Sequence, residues 1–419
     1  MAGSRDRLDS LAPLRHPNFR WYFVASTAIT AGGTMAGVAL AFAVLSIDNS
    51  ASALGLVLAA GTVPMVLFLL FGGVVADRLP LTLVLRVGMV VMGGTQGFAA
   101  ALVITGTAEI WMLVVLEAVN GTVWALTFPA FTSITPRLVP PEQLQQANAL
   151  QSFSRGALRI LGPTISALLV VGVGPGWALA ADAATWLVAA GVLGLVRLPP
   201  RPPRHEQTST VAELREGWTY FRSTTWLWVV VLGFGFLNAI YTGAWFTLGP
   251  AQAKATIGEQ GWGYVLSAES AGMMLTTLVM LRRPLRAPLL SGMLGISLLG
   301  LPIFVLGWSP QVGLLLICTF AAGAGAEVFG MGWNLAMQEN VPEDMLSRAY
   351  SYDALGSYVA MPLGQLAFGP LGARYGEQAV LVASGVAYVV ICLLVLSSRS
   401  VRGMRRLTKE PPLQEASPG

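Results

Sequence analysis

This sequence is short of charge. Asp, Glu, Lys and Arg make up 11% of its 419 residues, against about 25% in soluble proteins. A soluble chain of this length needs a charged surface, so the shortfall excludes that class. Cysteine is nearly absent as well: Cys318 and Cys392 both fall in apolar stretches, which excludes a disulfide framework. Histidine occurs only at His16 and His205, neither with ligand-like neighbours, so no metal site is expected. Lysine occurs only at Lys254 and Lys409 while arginine is abundant, a bias that points to GC-rich coding and a bacterial source. No Gly-Lys-Ser/Thr phosphate loop is present, which excludes direct drive by ATP, and no cofactor motif is legible. No nucleophile–base pair is legible either, so an enzyme is not expected. The polar start, Ser4-Arg5-Asp6-Arg7, lacks an apolar core followed by a cleavage site, and no removable signal peptide is expected.

What fills the chain is apolar sequence, 54% of it. A hydrocarbon core needs about 20 apolar residues per helix. The chain supplies twelve such stretches, near residues 19–46, 53–76, 81–104, 109–134, 149–172, 177–196, 226–250, 262–281, 287–307, 311–334, 349–371 and 377–397. Arginine crowds into every second gap between them. The gap at 48–50 has no Arg or Lys, the next carries Arg78 and Arg86, that at 105–109 has none, and the fourth has Arg137. The last span is followed by Arg399, Arg402, Arg405, Arg406 and Lys409, and only Lys254 and Arg374 fall on the depleted side. This alternation is the positive-inside pattern of a multi-pass protein, and it puts both termini in the cytoplasm. The net charge of +4 is no nucleic-acid signature, because the arginines flank apolar helices and form no single basic face.

The longest polar segment divides the chain into residues 1–196, 197–225, 226–397 and 398–419. The middle segment opens on Leu198-Pro199-Pro200-Arg201-Pro202-Pro203-Arg204, a run that cannot be helical and acts as a stiff linker. Beyond it Val211, Leu214, Trp218 and Phe221 share one face, which predicts a short amphipathic helix on the membrane surface. The chain therefore divides into a six-span bundle, a linker, a second six-span bundle and a tail. The two bundles also resemble each other. Under a shift of 202 residues Gly121 meets Gly323, Val139-Pro140 meets Val341-Pro342, Leu144 meets Leu346, Ala147 meets Ala349 and Leu161-Gly162 meets Leu363-Gly364. A six-plus-six repeat is the architecture of one large transporter class with its substrate site at mid-membrane.

Three stretches carry a resemblance to the major facilitator superfamily. Gly73-Val74-Val75-Ala76-Asp77-Arg78 resembles that family's loop between the second and third spans, and departs from it where Pro80, Leu81 and Thr82 replace Gly and two basic residues. The resemblance gives Gly73, Asp77 and Arg78 a gating role. Gly162-Pro163-Thr164-Ile165-Ser166-Ala167 is similar to the antiporter motif of the fifth span, a helix bend that leaves a groove for close approach. The stretch from Leu138 to Leu150, with Gln338-Glu339-Asn340-Val341-Pro342 as its counterpart, resembles the bacterial drug-exporter branch that includes macrolide and enterobactin exporters. The resemblance implies an all-α membrane protein of two pseudo-symmetric six-helix bundles that works by alternating access.

Ionisable groups inside spans are the functional candidates, because each costs about 2.5–3.5 kcal/mol at a helix centre. Glu117 lies near the middle of the fourth span, where family antiporters carry an Arg, so that Arg's role does not transfer. Glu327 lies in the tenth span and Glu269 in the eighth. Arg155 and Arg159 are one turn apart in the fifth. Arg155 is expected to snorkel to the surface, and Arg159 to pair with Glu117 or Asp77, or else to face the cavity and favour an anionic cargo. Asp182 and Asp353 read as structural, the latter as a helix N-terminal group. Trp124, Phe128, Trp245, Phe246 and Trp333 would form a cavity wall suited to amphiphilic or cationic drugs, or would pack against lipid and neighbouring helices. The expected function is proton-coupled efflux of a small hydrophobic or amphiphilic compound such as a drug, antibiotic or siderophore. It would run in the bacterial plasma (inner) membrane, as a monomer, on the proton gradient with no cofactor. Nutrient uptake by the same fold and a non-transporting membrane sensor are the alternatives.

Overall fold

Apolar sequence becomes helix almost throughout the computed structural model, which describes residues 11–197, 210–280 and 285–405. Inside helices, a few side chains, those of 69–78 and 210–216 among them, are likewise outside the description. Hydrocarbon offers the backbone no hydrogen-bond partner, so a lone spanning segment must pair its own N–H and C=O groups as a helix. The first six spans are Pro17–Ile47, Ala51–Arg78, Leu81–Thr105, Ile110–Ser133, Leu144–Val173 and Pro175–Leu193. An amphipathic helix, Thr210–Ser223, precedes the second set. The seventh span runs Thr225–Thr256 and the eighth Gly258–Met280. The ninth runs Pro288–Trp308, the tenth Val312–Asn340, and the twelfth Glu377–Ser397; the eleventh is built of Glu343–Tyr358 and Met361–Tyr375. Among the described residues ten helices are long and apolar enough to cross a bilayer. The eighth has the length, at 23 residues, but carries Glu259, Ser267, Glu269 and Ser270. The eleventh misses as one helix because it breaks in two.

Proline explains the breaks. A proline removes the hydrogen bond to the carbonyl four residues earlier and crowds that carbonyl. The eleventh span stops at Tyr358, four before Pro362. The ninth is interrupted at Leu298 and Leu299, the first of them four before Pro302. The seventh carries a π-helical segment, Tyr241–Leu248, around Phe246, four before Pro250. At the face opposite the termini the chain turns sharply. Gly106, Gly174, Gly258 and Gly376 all sit there with φ between 70° and 96°, a conformation open to glycine without steric cost.

Spans pack by backbone approach at glycine, as expected where lipid supplies no hydrophobic drive between helices. A Cβ on Gly121 of the fourth span would overlap the carbonyl of Gly61 in the second. A Cβ on Gly323 of the tenth would overlap the carbonyl of Glu269 in the eighth. The matched glycines of the repeat thus make equivalent helix–helix contacts in the two six-helix bundles. The third and sixth spans, the first and sixth, and the ninth and twelfth also pack together. The bundles meet where the fifth span touches the eighth and the second touches the eleventh. The outward faces stay apolar, with Val171, Ile317 and Leu394 exposed.

Gly121→Leu should therefore force the second and fourth spans apart at a cost of about 1–3 kcal/mol or more. Thermal unfolding in detergent should show a clear drop in Tm. Gly94→Ala, where a Cβ meets nothing within 4 Å, should leave Tm unchanged or raise it; equal behaviour of the two variants would refute the contact.

Candidate functional site

The seam between the bundles is shut toward the face opposite the termini. Gly369 of the eleventh span lies on the backbone of Ser52 in the second, and Gly55 on the carbonyl of Gln365. Gly263 of the eighth span lies on the Pro163 carbonyl and Ala167 of the fifth. Thr164 Oγ1 and Ser267 Oγ share a hydrogen bond of 2.7 Å across the same contact. Lys254 completes the closure. Its Nζ, from the end of the seventh span, donates to the Leu45 carbonyl at 2.7 Å and to Asn49 Oδ1 at 3.0 Å. A cation is well placed there, because the last carbonyls of a helix lack internal donors. The lysine that broke the charge pattern is thus a clasp between the two bundles.

Deeper in, the seam is hollow. A cavity of about 360 Å³ is walled by Val38 of the first span, Arg159 of the fifth, Phe246 of the seventh, and Trp262, Leu266 and Glu269 of the eighth. A second, of about 410 Å³, lies toward the termini. It is walled by Arg155 and Arg159 of the fifth span, Thr277 of the eighth and Glu327 of the tenth. Arg159, Ser270 and Met273 belong to both walls. Two carboxylates and two arginines thus border two neighbouring cavities that share a wall.

Each carboxylate has a hydroxyl partner. Tyr241 Oη donates to Glu269 Oε1 at 2.7 Å. Thr277 Oγ1 donates to Glu327 Oε1 at 2.8 Å. Arg155 Nη2 donates to Ser152 Oγ at 3.2 Å. Arg159 has no hydrogen bond or ion pair among the described residues and is exposed to the cavities. Its expected pairing with Glu117 is not formed. Glu117 sits where the second and fourth spans touch, accepts from Asn120 Nδ2 at 3.2 Å, and borders neither cavity. Asn120 in turn accepts from Thr95 Oγ1. The alternative partner Asp77, with Gly73 and Arg78, lies at the end of the second span, where side chains are outside the described residues.

The aromatic candidates separate. Phe246 borders the first cavity, its ring 5.2 Å from and edge-on to Tyr241. Trp245 is not in the cavity wall; it is fully buried behind it, against Trp262, with ring centroids 4.7 Å apart. Trp333 stacks on Phe329 and donates its Nε1 to Asp353 Oδ2 at 2.9 Å. Trp124 packs among Phe128 and Phe131. Neither cavity wall includes Trp124, Phe128, Trp245 or Trp333. Asp353 is ten residues into its helix segment and serves as the acceptor for Trp333, which corrects its reading as an N-terminal group. Asp182, expected in a structural bond, is fully buried beside Gly32, with no hydrogen-bond partner for either oxygen among the described residues. Gly162 and Pro163 lie inside the continuous fifth helix. Gly162 faces Thr34 of the first span, and Pro163 faces the eighth.

The residues that sequence reading missed are Tyr241, Trp262, Thr277 and Lys254. Of these only Lys254 left a signal, as an exception to the arginine alternation. The other three matter through partners on other helices.

The profile of a family described as transmembrane secretion effector matches residues 8–416. The enterobactin exporter EntS of Escherichia coli O157:H7 is 27% identical over 419 residues, covering 96% of each chain. An MFS-type transporter of Bacillus subtilis strain 168, YfiS, is 23% identical over 314 residues, or 71% of this chain and 74% of its own. Among solved structures, a bacterial homologue of the human lysosomal transporter Spinster, inward-facing and unoccupied, matches with a TM-score of 0.71 and 16% identity over 94% of this chain and 99% of its own. The nucleoside transporter NupG matches with a TM-score of 0.72 and 13% identity over 90% and 98%.

Lys254→Met should loosen the closed face. A hydrogen bond from a charged donor contributes about 1.5–3 kcal/mol, enough to shift an opening equilibrium by about tenfold. Labelling of Ser52→Cys by a membrane-impermeant maleimide, with Cys318 and Cys392 replaced by Ala, should rise by that order. An unchanged labelling rate would show that Lys254 does not hold the bundles together.

Proposed function

The chain belongs to the transmembrane secretion effector family of major facilitator transporters, and we propose that it exports a small amphiphilic compound through the seam cavities in exchange for protons. The observation that carries the reading is Arg159, Glu269 and Glu327 around two adjoining hollows between two bundles. Charges in a bilayer are costly and concentrate on transport paths. The similarity to an enterobactin exporter along 96% of the chain supports outward transport and makes siderophores one cargo class, beside drugs and antibiotics. The similarity to an inner-membrane type of exporter supports that membrane, and the arginine alternation supports an orientation with both termini, and the hollow end of the seam, toward the cytoplasm.

In the cycle, cargo enters from the terminal face. Its apolar body packs on Phe246, Trp262 and Leu266, and its donor or cationic groups meet Glu269 and Glu327. Arg159, which has no partner among the described residues, favours a cargo that also bears an acidic group, since guanidinium pairs well with carboxylate and phosphate. Rocking of the bundles then breaks the Lys254 clasp and opens the opposite face. A proton taken up there neutralises a carboxylate and removes its hold on the cargo. A proton moving inward across 100 mV gains about 2.3 kcal/mol, before any pH difference is counted. The Tyr241 hydroxyl holds the Glu269 carboxylate in place when cargo is absent.

Proteoliposomes loaded with a panel of fluorescent amphiphiles test this. Glu269→Gln and Glu327→Gln should stop efflux driven by a pH gradient in at least one variant, while cargo–cargo exchange continues. Full proton-driven efflux in both variants would remove the carboxylates from coupling, and no movement of any amphiphile by the native protein would end the export reading. Arg159→Gln should weaken apparent affinity for acidic members of the panel by about tenfold, in line with the loss of a charged hydrogen bond, and leave neutral members unchanged.

A further inference from the structure

A hollow larger than either seam cavity, about 910 Å³, lies away from the transport path. Its walls come from the seventh span, the middle of the eleventh from Tyr352 to Leu363, and the amphipathic helix Thr210–Ser223. On the seventh span the wall runs from Trp228 to Ala239, about 16 Å along a helix axis. One leaflet of hydrocarbon is about 15 Å deep. The groove therefore begins at the membrane surface on the terminal side and ends near mid-membrane.

The groove exists because the eleventh span is irregular. Gly356 lies against the Val231 side chain, and Gly235 against the Gly356 carbonyl, so the two helices approach closely along the groove floor. Past that contact the eleventh span breaks at Val359 and Ala360, both in the wall. Leu232, Phe236, Leu355, Val359 and Leu363 leave apolar side chains exposed along it. At the surface end Trp218, Phe221 and Tyr352 form a ring cluster with centroids 5.6–5.7 Å apart. Beside them stands Arg222, exposed, without a hydrogen bond or ion pair among the described residues, and the sole charged residue of the wall.

We propose that this groove is a binding site for a single anionic phospholipid, with an acyl chain along the seventh and eleventh spans and the headgroup phosphate on Arg222. The chemistry is complementary at both ends. The floor and sides are hydrocarbon for the depth of one leaflet, and among the described residues one arginine, Arg222, stands at the level of the lipid phosphates. Guanidinium pairs bidentately with phosphate, and a basic residue at this level attracts anionic lipid. A lipid seated there would brace the broken eleventh span against the amphipathic helix. The proposal stands independently of the cargo and of coupling.

Native mass spectrometry of the full-length protein with equimolar dioleoyl phosphatidylglycerol and dioleoyl phosphatidylcholine tests it. One phosphatidylglycerol should be retained in preference, by about fivefold. Arg222→Gln should erase the preference while lipid is still retained. Ala239→Phe should fill the deep end and reduce retention of both lipids, with Leu232→Trp as the second variant if circular dichroism shows Ala239→Phe misfolded. Inorganic phosphate in excess should not displace the lipid, which separates a phospholipid site from a free-anion site. Equal retention of the two lipids by the native protein, or a preference that survives Arg222→Gln, would overturn the proposal.

Discussion

A bilayer gives the backbone nothing to bond with, and this requirement shapes the molecule at every level. It makes each long apolar run of the described chain a helix. It also removes the usual force for packing helices together, since lipid tails are as apolar as leucine. Contact between spans then depends on how closely backbones can approach. Gly121 on Gly61, Gly323 on Glu269 and Gly55 on Gln365 are among the places where they do.

The same close contacts position the site. Glu269 is fixed from behind because its own carbonyl lies on Gly323 of the tenth span. Four residues further along that tenth helix, about one turn, Glu327 comes to the second cavity. The fifth span presses its Gly-Pro pair between the first and eighth spans, which brings Arg159 to the border of both hollows. Irregularity is concentrated in the second bundle, at Phe246, Leu298 and Tyr358, each four residues before a proline. Two of those irregularities have neighbours with a role. The π-helical stretch starts at Tyr241, the donor to Glu269, and the break after Tyr358 opens the wall of the lipid groove.

Much of this architecture was readable beforehand, and for identifiable reasons. Span number follows from the length of apolar runs, because bilayer thickness sets a ruler. The repeat was visible in Gly121 and Gly323, because the same close contact in each half demands the same residue. Glu117, Glu269, Glu327 and Arg159 all stand out because charge is rare inside spans, and that argument does not separate Glu117, which borders neither cavity, from the other three. The aromatics were harder. Phe246 and Trp245 are adjacent in sequence, yet one borders the cavity and the other is buried against Trp262. The π-helical register around Phe246 decides which side each takes, and no periodicity argument anticipates it.

Hydrophobic length and charge cost act residue by residue, so a helical membrane protein with a repeated bundle and a few intramembrane charges is legible from the order of residues alone. Which side chains meet is set by packing in three dimensions. Tyr241 with Glu269, Thr277 with Glu327, and Lys254 with the end of the first span are contacts across 28 to 209 residues of chain. Such bonds depend on two helices being brought to one depth and one rotation, and the packing of all their neighbours fixes both.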